Sequence, residues 1–187
     1  LLNGGFQAWE QAGYADESGL APRFPQAWFG RDEPLHPEYL VATDYIREVV
    51  NGEHPDAVIA DIRTWDEYIG ASAPYDYIPT DGRIKGALWG HAGAGPWTME
   101  DFVDADGSLR SYTEVAAMWA AAGITADKNV SHYCGTGWRA ALTFFYGYMM
   151  GWERVNLYDG GWYEWSMGAD AAENPIIDET PGLPIYE

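Results

Sequence analysis

The sequence has a single cysteine, and the residues after it are of types that bind a negatively charged group. The segment reads Cys134-Gly135-Thr136-Gly137-Trp138-Arg139. Glycines two residues apart allow the backbone to curl so that successive N–H groups point inward and form an anion-binding nest. Arg139 adds a permanent positive charge. Such surroundings favour the thiolate of Cys134 over its thiol, and they would also hold an anion carried on the sulfur, such as a persulfide.

A second explanation for Cys134 is that it is a small buried hydrophobic residue, which is common for an isolated cysteine. Packing alone does not require the Gly-x-Gly-x-Arg pattern that follows, so the pattern favours a reactive site. One cysteine excludes a disulfide framework and any zinc site built from cysteines. The four histidines lack metal-ligand spacing. We expect His132 to be a hydrogen-bonded strand residue rather than a general base.

The composition is that of an acidic globular chain. Of 187 residues, 29 are Asp or Glu and 10 are Lys or Arg, which gives a formal net charge of −19. This charge repels phosphate, so we expect neither a nucleic acid nor an anionic membrane surface as a partner. The hydrophobic content of 47% is enough for a packed core. No apolar run approaches the roughly 18 to 20 residues that cross a bilayer.

Hydrophobic patterning predicts strands that alternate with helices around the cysteine. We expect strands at residues 57–61, 87–89, 129–133 and 154–157. We expect helices at residues 37–50, 66–69, 111–122 and 139–150, and a last one after Gly160-Gly161. Ser111 is predicted to open the third of these helices with a capping box. The alternation indicates an α/β fold with a mostly parallel central sheet and helices on both faces, and Cys134 would follow a buried strand at the edge where such sheets bind ligands.

Two segments near the ends of the chain are similar to each other. Residues 2–9 and 158–165 both contain Asn or Asp, Gly-Gly, an aromatic residue and a Trp in the same register. The similarity predicts that residues 1–20 are the C-terminal tail of a preceding homologous domain. The proline-rich residues 21–36 are predicted to be a linker, residues 37–170 the catalytic domain, and residues 171–187 an irregular C-terminal tail.

Four segments, in this order, resemble motifs of the rhodanese family of sulfurtransferases. They are Asp61-Ile62-Arg63, Gly82-Arg83-Ile84-Lys85-Gly86-Ala87, the loop Cys134-Gly135-Thr136-Gly137-Trp138-Arg139, and Asp159-Gly160-Gly161-Trp162. The second segment differs at two positions from the family's Gly-His-Ile-Pro-Gly-Ala turn. The resemblance covers about residues 34–167 and implies a rhodanese-like α/β domain.

The resemblance implies a double-displacement mechanism at Cys134. The thiolate would attack the outer sulfur of a donor, hold it as a persulfide, and pass it to a thiophilic acceptor. The backbone amides of the loop residues Gly135, Thr136, Gly137 and Trp138 would cradle the persulfide. No metal, flavin or nucleotide is implied, because the covalent persulfide on Cys134 takes the place of a cofactor.

The resemblance also assigns roles to three charged residues. Arg139 would orient the anionic group of the donor. Asp61 and Arg63 would be supporting residues that brace the loop from the neighbouring strand end. A basic residue that often follows the nucleophile in the family is absent here, because Gly135 occupies that position.

The implied partners are a small anionic sulfur donor, a thiol or cyanide as acceptor, and preceding rhodanese-like domains of the same protein. The layout is similar to multi-domain bacterial thiosulfate sulfurtransferases of the family, which implies a periplasmic location. The donor stays open between thiosulfate, mercaptopyruvate and a protein persulfide. A non-catalytic interaction module is one rival. A phosphatase is another, but phosphatases of this fold have five residues between Cys and Arg, whereas Cys134 and Arg139 are separated by four.

Overall fold

The computed structural model describes residues 2–25, 27–28 and 30–178. The helices are α1 (Gly5–Gln11), α2 (Thr43–Val50), α3 (Trp65–Tyr68), α4 (Tyr112–Ala121), α5 (Trp138–Met149) and α6 (Gly161–Met167). The strands are β1 (Leu40–Val41), β2 (Ala57–Asp61), β3 (Arg83–Ile84), β4 (Leu88–Trp89), β5 (Asn129–Tyr133), β6 (Val155–Tyr158) and β7 (Ile176–Ile177). Short 3-10 helices lie at Pro37–Tyr39, Glu100–Phe102 and Ala171–Glu173. None of the helices in these ranges is long and apolar enough to span a membrane.

Five strands form one sheet in the order β1-β6-β5-β2-β4, and each neighbouring pair is parallel. Parallel strands end at the same edge of a sheet, which brings the residues after β2 and β5 together. Asp61 is in register with Tyr133, and the Ile62 amide donates to the Tyr133 carbonyl at 2.7 Å. This pairing places the Asp-x-Arg segment beside the cysteine loop.

Successive residues of β2 face opposite sides of the sheet, and each side has its own core. Ile59 packs with Ile46 of α2 and Trp165 of α6. Ala60, the next residue, packs with residues of α4 and α5, including Trp119. Helices therefore cover both faces of a parallel sheet, and the predicted fold class is confirmed.

The predicted helix at residues 37–50 is wrong in its first half. Residues 37–39 form a 3-10 turn, Leu40 and Val41 form β1, and α2 begins at Thr43. The pattern of apolar residues is compatible with a helix, but Leu40 and Val41 pair instead with Leu157 and Tyr158 of β6. Sheet pairing, which depends on a distant strand, overrides the local pattern here.

The predicted capping box at Ser111 does not form. The Ser111 hydroxyl lies 2.7 Å from the Thr113 hydroxyl and makes no bond to the helix backbone. A capping box forms instead at α3, where the Thr64 side chain accepts from the Glu67 amide at 3.2 Å and the Glu67 carboxylate accepts from the Thr64 amide at 3.0 Å. The Thr-x-x-Glu spacing at residues 64–67 is a signal that the sequence analysis overlooked.

The first and last described segments differ in their contacts with the rest of the domain. Asn3 accepts a hydrogen bond from the Leu109 amide at 2.6 Å, and no residue of α1 is buried. Residues 171–178 differ from the irregular chain predicted for 171–187, because Ile176 and Ile177 form β7, which pairs antiparallel with β3. Residues 179–187 lie outside the described residues. The proposed division of the chain into a preceding tail, a linker and a catalytic domain stays a prediction.

Candidate active site

Cys134 lies directly after β5 and is buried, with an exposed fraction of 2%. Its loop packs against the turn that leads into α6. The Trp162 amide donates to the Cys134 carbonyl at 2.8 Å, and the Tyr163 amide donates to the Gly135 carbonyl at 2.9 Å. In a trans peptide, the next N–H points away from the carbonyl. The amides of Gly135 and Thr136 therefore point to the side of the loop opposite α6.

Two glycines make this close packing possible. Gly137, the N-cap of α5, has a φ of +83°, and a Cβ atom there would overlap the Asp159 carboxylate. Gly161 has a φ of +58°, and a Cβ atom there would lie 2.6 Å from the Cys134 carbonyl oxygen. A side chain at either position would be strained by its backbone conformation and by its neighbour.

The amides of the loop are available to a ligand. Within the described part of the chain, none of the N–H groups of residues 135–139 donates to another protein group. The last two belong to the first turn of α5, whose N–H groups have no intrahelical partner and carry the positive end of the helix dipole. This arrangement is what the sequence predicts for an anion-binding loop around Cys134.

Arg139 is not free to meet an anion by itself. Its guanidinium makes two parallel hydrogen bonds of 3.0 Å to the Glu67 carboxylate and a third of 2.7 Å to the Tyr75 hydroxyl. Both charged side chains are buried, with exposed fractions of 7% and 2%. Burial by itself would lower the pKa of Arg139, but the hydrogen bonds and charge of Glu67 raise it above its ordinary value. Arg139 therefore stays charged, and the carboxylate of Glu67 that faces it offsets this charge.

Tyr75 connects the loop to the wall of the site. Its hydroxyl accepts from Arg139 and donates to the Pro96 carbonyl at 3.0 Å. Its ring lies so close to Gly135 that a Cβ atom there would be 3.0 Å from the ring. Burial raises the pKa of Tyr75 above its ordinary value, so the phenol stays protonated. Sequence reasoning missed this residue, because it lies in the irregular segment before the second rhodanese-like motif and follows no recognisable pattern.

Asp61 and Arg63 form a separate network at the end of β2. Arg63 donates to the Asp61 carboxylate at 2.8 and 2.6 Å and to the Gly82 carbonyl at 2.8 Å. The Tyr133 hydroxyl also donates to Asp61. Burial and the Asp61 charge raise the pKa of Tyr133 well above its ordinary value. Because Tyr133 precedes the cysteine, these contacts fix the start of the loop, which agrees with a supporting role.

His132 differs from its expected state. It is fully buried, and neither ring nitrogen has a hydrogen-bond partner among the described residues. Its ring lies 5.2 Å from that of Trp119, on the opposite face of the sheet from the Tyr133 network. Burial lowers the pKa of His132 to about 3. The residue is therefore neutral, and the expected strand hydrogen bond is absent because its neighbours are the apolar residues of α4.

A cavity of about 620 Å³ opens over the cysteine. Its lining is mostly apolar and aromatic. The residues that line it are Tyr75, Tyr77, Pro96, Trp97, Met99, Cys134, Thr136, Trp138, Arg139 and Leu142. Trp138 belongs to this wall with an exposed fraction of 86%, so its side chain is placed at the mouth of the cavity.

Comparison with known families identifies the domain. The model of the rhodanese-like domain matches residues 44–167. The chain belongs to the rhodanese family. Thiosulfate sulfurtransferase YnjE of Escherichia coli K12 is 45% identical over 94% of this chain and 40% of its own length. Sulfur carrier protein TtuD of Thermus thermophilus is 30% identical over 88% of this chain and 57% of its own. The chain thus spans between two fifths and three fifths of the length of these rhodanese relatives.

Similar solved structures have a tyrosine, a cysteine and a threonine at the spacing found here. An anaerobic ergothioneine biosynthesis enzyme from Chlorobium limicola, in complex with its natural substrate trimethyl histidine, is 39% identical over 96% of this chain and 41% of its own, with a TM-score of 0.89. EanB, at 38% identity and a TM-score of 0.89, has been captured with a cysteine persulfide and ergothioneine. The EanB persulfide cysteine lies 59 positions after one substituted tyrosine and two before a substituted threonine. Tyr75, Cys134 and Thr136 have the same spacing.

Proposed function

We propose that this rhodanese domain transfers sulfane sulfur from an anionic donor to a thiophilic acceptor through a persulfide on Cys134. One observation carries the proposal: the only thiol of the chain lies at a cavity, inside a loop whose amides of residues 135–139 have no other partner among the described residues. Such amides stabilise negative charge on sulfur without a mobile counterion. The sulfurtransferase names of YnjE and other relatives support the same reaction class.

The chemistry balances without an oxidant or a cofactor. With thiosulfate as donor, the Cys134 thiolate attacks the outer sulfur, the S–S bond breaks, and sulfite leaves with its electron pair. The enzyme then carries Cys–S–S⁻ within the ring of amides. Cyanide, or a thiolate, attacks the terminal sulfur and restores the Cys134 thiolate. Thiocyanate is the product when cyanide is the acceptor.

The structure suggests how the loop and Arg139 share this work. The amides meet the negative charge directly, while Arg139 is tied to Glu67 and Tyr75 and holds the first turn of α5 in place. We therefore assign Arg139 primarily a positioning role, with donor orientation as a secondary one. Thiosulfate is the donor that most relatives suggest, and mercaptopyruvate is an alternative supported by the 28% identical E. coli 3-mercaptopyruvate sulfurtransferase.

Because the chain has a single cysteine, the mass of the intact protein reports directly on sulfur bound to Cys134. Purified protein treated with thiosulfate should gain the mass of one sulfur atom, and cyanide should remove it and release thiocyanate. Cys134→Ser should do neither while it keeps the wild-type circular dichroism and melting temperature. Thr125→Ser, a conservative hydroxyl substitution at a half-buried position outside the cavity, is the control and should behave as wild type. Thiocyanate formation by Cys134→Ser, or turnover of an aryl phosphate by the wild type, would overturn the proposal.

A second candidate acceptor is a trimethylated histidine. The shared spacing of Tyr75, Cys134 and Thr136 with EanB supports it, as does the aromatic cavity over the cysteine. Protein that carries the persulfide would be mixed with trimethyl histidine, and the small-molecule fraction examined by mass spectrometry. Gain of one sulfur atom by the small molecule supports this acceptor. Persulfide that remains on the protein under the same conditions rules it out.

Three further proposals rest on the family resemblance rather than on the geometry of the cysteine loop. We propose that no cofactor is needed besides the covalent persulfide, that residues 1–20 end a preceding rhodanese-like domain, and that the protein is periplasmic. Support for the second is that Gly5 and Gly161, which begin α1 and α6, have φ values of +59° and +58°. Three experiments test these proposals in turn. Activity should survive exhaustive dialysis against a chelator, and the upstream reading frame should encode a rhodanese-like domain. Fractionation of intact cells should place the protein in the periplasm.

A further inference from the structure

The mouth of the cavity is built from four aromatic rings, and Tyr75 among them also belongs to one of the two core clusters. Tyr75, Tyr77, Trp97 and Trp138 all line it, and the two tryptophans have exposed fractions of 74% and 86%. The rings of Tyr75 and Trp97 are nearly perpendicular, at 81°, with centroids 5.0 Å apart. The Tyr77 ring lies 5.4 Å from that of Tyr75. Exposed tryptophans cost solvation free energy, so their position around a cavity indicates a ligand that covers them.

The side chains of the mouth provide little net positive charge. Among the described residues that line the cavity, Arg139 alone has a charged side chain, and Glu67 offsets its charge through two hydrogen bonds. The chain as a whole has a net charge of −19. Negative charge is therefore stabilised only at the floor, by the backbone amides next to Cys134. The wall above offers the negative faces of π systems, which attract cations.

We propose that this aromatic mouth binds an organic cation, with a quaternary ammonium group held among Tyr75, Tyr77, Trp97 and Trp138. A methylated ammonium is weakly hydrated and is attracted to several ring faces at once. The positive group would sit above the negative sulfur at the floor, so the two halves of the site are complementary. That the cation is the sulfur acceptor rests on the proposed function; that the mouth binds a cation does not.

The experiment measures binding to Cys134→Ser, which cannot form a persulfide. Choline is the probe, and 3,3-dimethylbutan-1-ol, which has the same shape without the charge, is its matched control. Calorimetry or saturation-transfer NMR should show choline binding at least about 5-fold more tightly than the neutral alcohol. Equal affinities would overturn the proposal, because the mouth would then be an apolar pocket only.

Substitutions locate the site. Trp97→Ala and Trp138→Ala should each weaken choline binding about 2- to 5-fold, the range for one exposed cation–π contact. Tyr112→Ala removes an aromatic ring that is 66% exposed but lies outside this cavity, and it should leave binding unchanged. Equal losses in all three variants, or none in the tryptophan variants, would refute the assignment.

The two proposals fail in different ways. If Cys134→Ser binds choline in the expected manner but the wild type forms no persulfide, the cation site stands and the sulfur-transfer proposal is wrong. If the wild type forms thiocyanate but choline binds no better than its neutral control, sulfur transfer stands and the cation site is wrong.

Discussion

Replacing Glu67 by Gln tests the buried pair on which the first turn of α5 depends. The Glu67 carboxylate accepts two hydrogen bonds of 3.0 Å from Arg139 and two more, at 3.0 and 3.1 Å, from the amide and hydroxyl of Thr64. Gln has nearly the same shape but no charge. Glu67→Gln would leave the Arg139 guanidinium buried without its counterion.

The loss of stability can be estimated from burial and hydrogen bonding. Removing one partner of a buried ion pair costs about 3 to 5 kcal/mol of unfolding free energy. Gln keeps one oxygen that accepts a hydrogen bond, so we expect a value near the lower end, about 3 kcal/mol. For a chain of this size, that corresponds to a melting temperature lowered by about 6 to 12 °C.

Thermal melts followed by circular dichroism check this estimate. The double variant Glu67→Gln/Arg139→Met, which removes the orphaned charge as well, should recover part of the loss. Asp56→Asn, which breaks the exposed pair with Arg154, is the control and should melt close to wild type. If Glu67→Gln melts no lower than Asp56→Asn, the inference that the pair is buried and essential to the loop is wrong.

Glu67→Gln should also change ligand binding, in opposite directions for anions and cations. Without Glu67, Arg139 contributes a net positive charge next to the cavity. KM for thiosulfate should fall and choline binding to the corresponding Cys134→Ser protein should weaken, each several-fold, while 3,3-dimethylbutan-1-ol binding is unaffected. Parallel changes for thiosulfate and choline would show that the loop had been disordered rather than recharged.

Three further predictions concern positions with known geometry. Gly137→Ala must adopt a φ of +83° and contact Asp159. We expect the unfolding free energy, measured by chemical denaturation, to fall by at least about 1 to 2 kcal/mol, and persulfide formation to be lost. A stable, active variant would contradict the loop geometry. Because burial lowers the pKa of His132 to about 3 while the unfolded residue titrates near 6.5, protonation favours the unfolded state as the pH falls through that interval. The loss amounts to at most about 5 kcal/mol by pH 3, and His132→Phe should flatten this part of the stability profile relative to wild type; identical profiles would disprove it. Thr64→Ala should cost about 1 kcal/mol of unfolding free energy, but Ser111→Ala almost none, since only Thr64 caps its helix; equal costs would refute the assignment.

Part of the site was predictable because its chemistry lies within a few consecutive residues. The strand at 129–133, the cysteine after it and the helix that follows are consecutive in the chain, and two glycines within that stretch allow the backbone conformation. The pairing of Asp61 with Arg63 is also local, since the two side chains are on residues two apart. Alternation of strands and helices was enough to predict the parallel sheet.

Other features were not accessible from local patterns. β1 was predicted as helix because its two residues form a strand only by pairing with β6, more than 100 residues later. The β3–β7 pair has the same origin. His132 was expected to be hydrogen-bonded, but its neighbours are set by the packing of α4 against the sheet.

The sequence by itself predicted Cys134 as the nucleophile and an amide-rich loop around it, and it identified the family, because backbone conformation and strand or helix periodicity are encoded by neighbouring residues. The tertiary structure decided how charge is distributed around the thiol. Glu67, Tyr75 and Trp97 reach the loop from segments 37 or more residues away. They offset the charge of Arg139, which the sequence left unpaired, and they surround the thiol with aromatic rings. Electrostatic neutralisation depends on distances between side chains in space, and those distances are set by packing rather than by sequence separation.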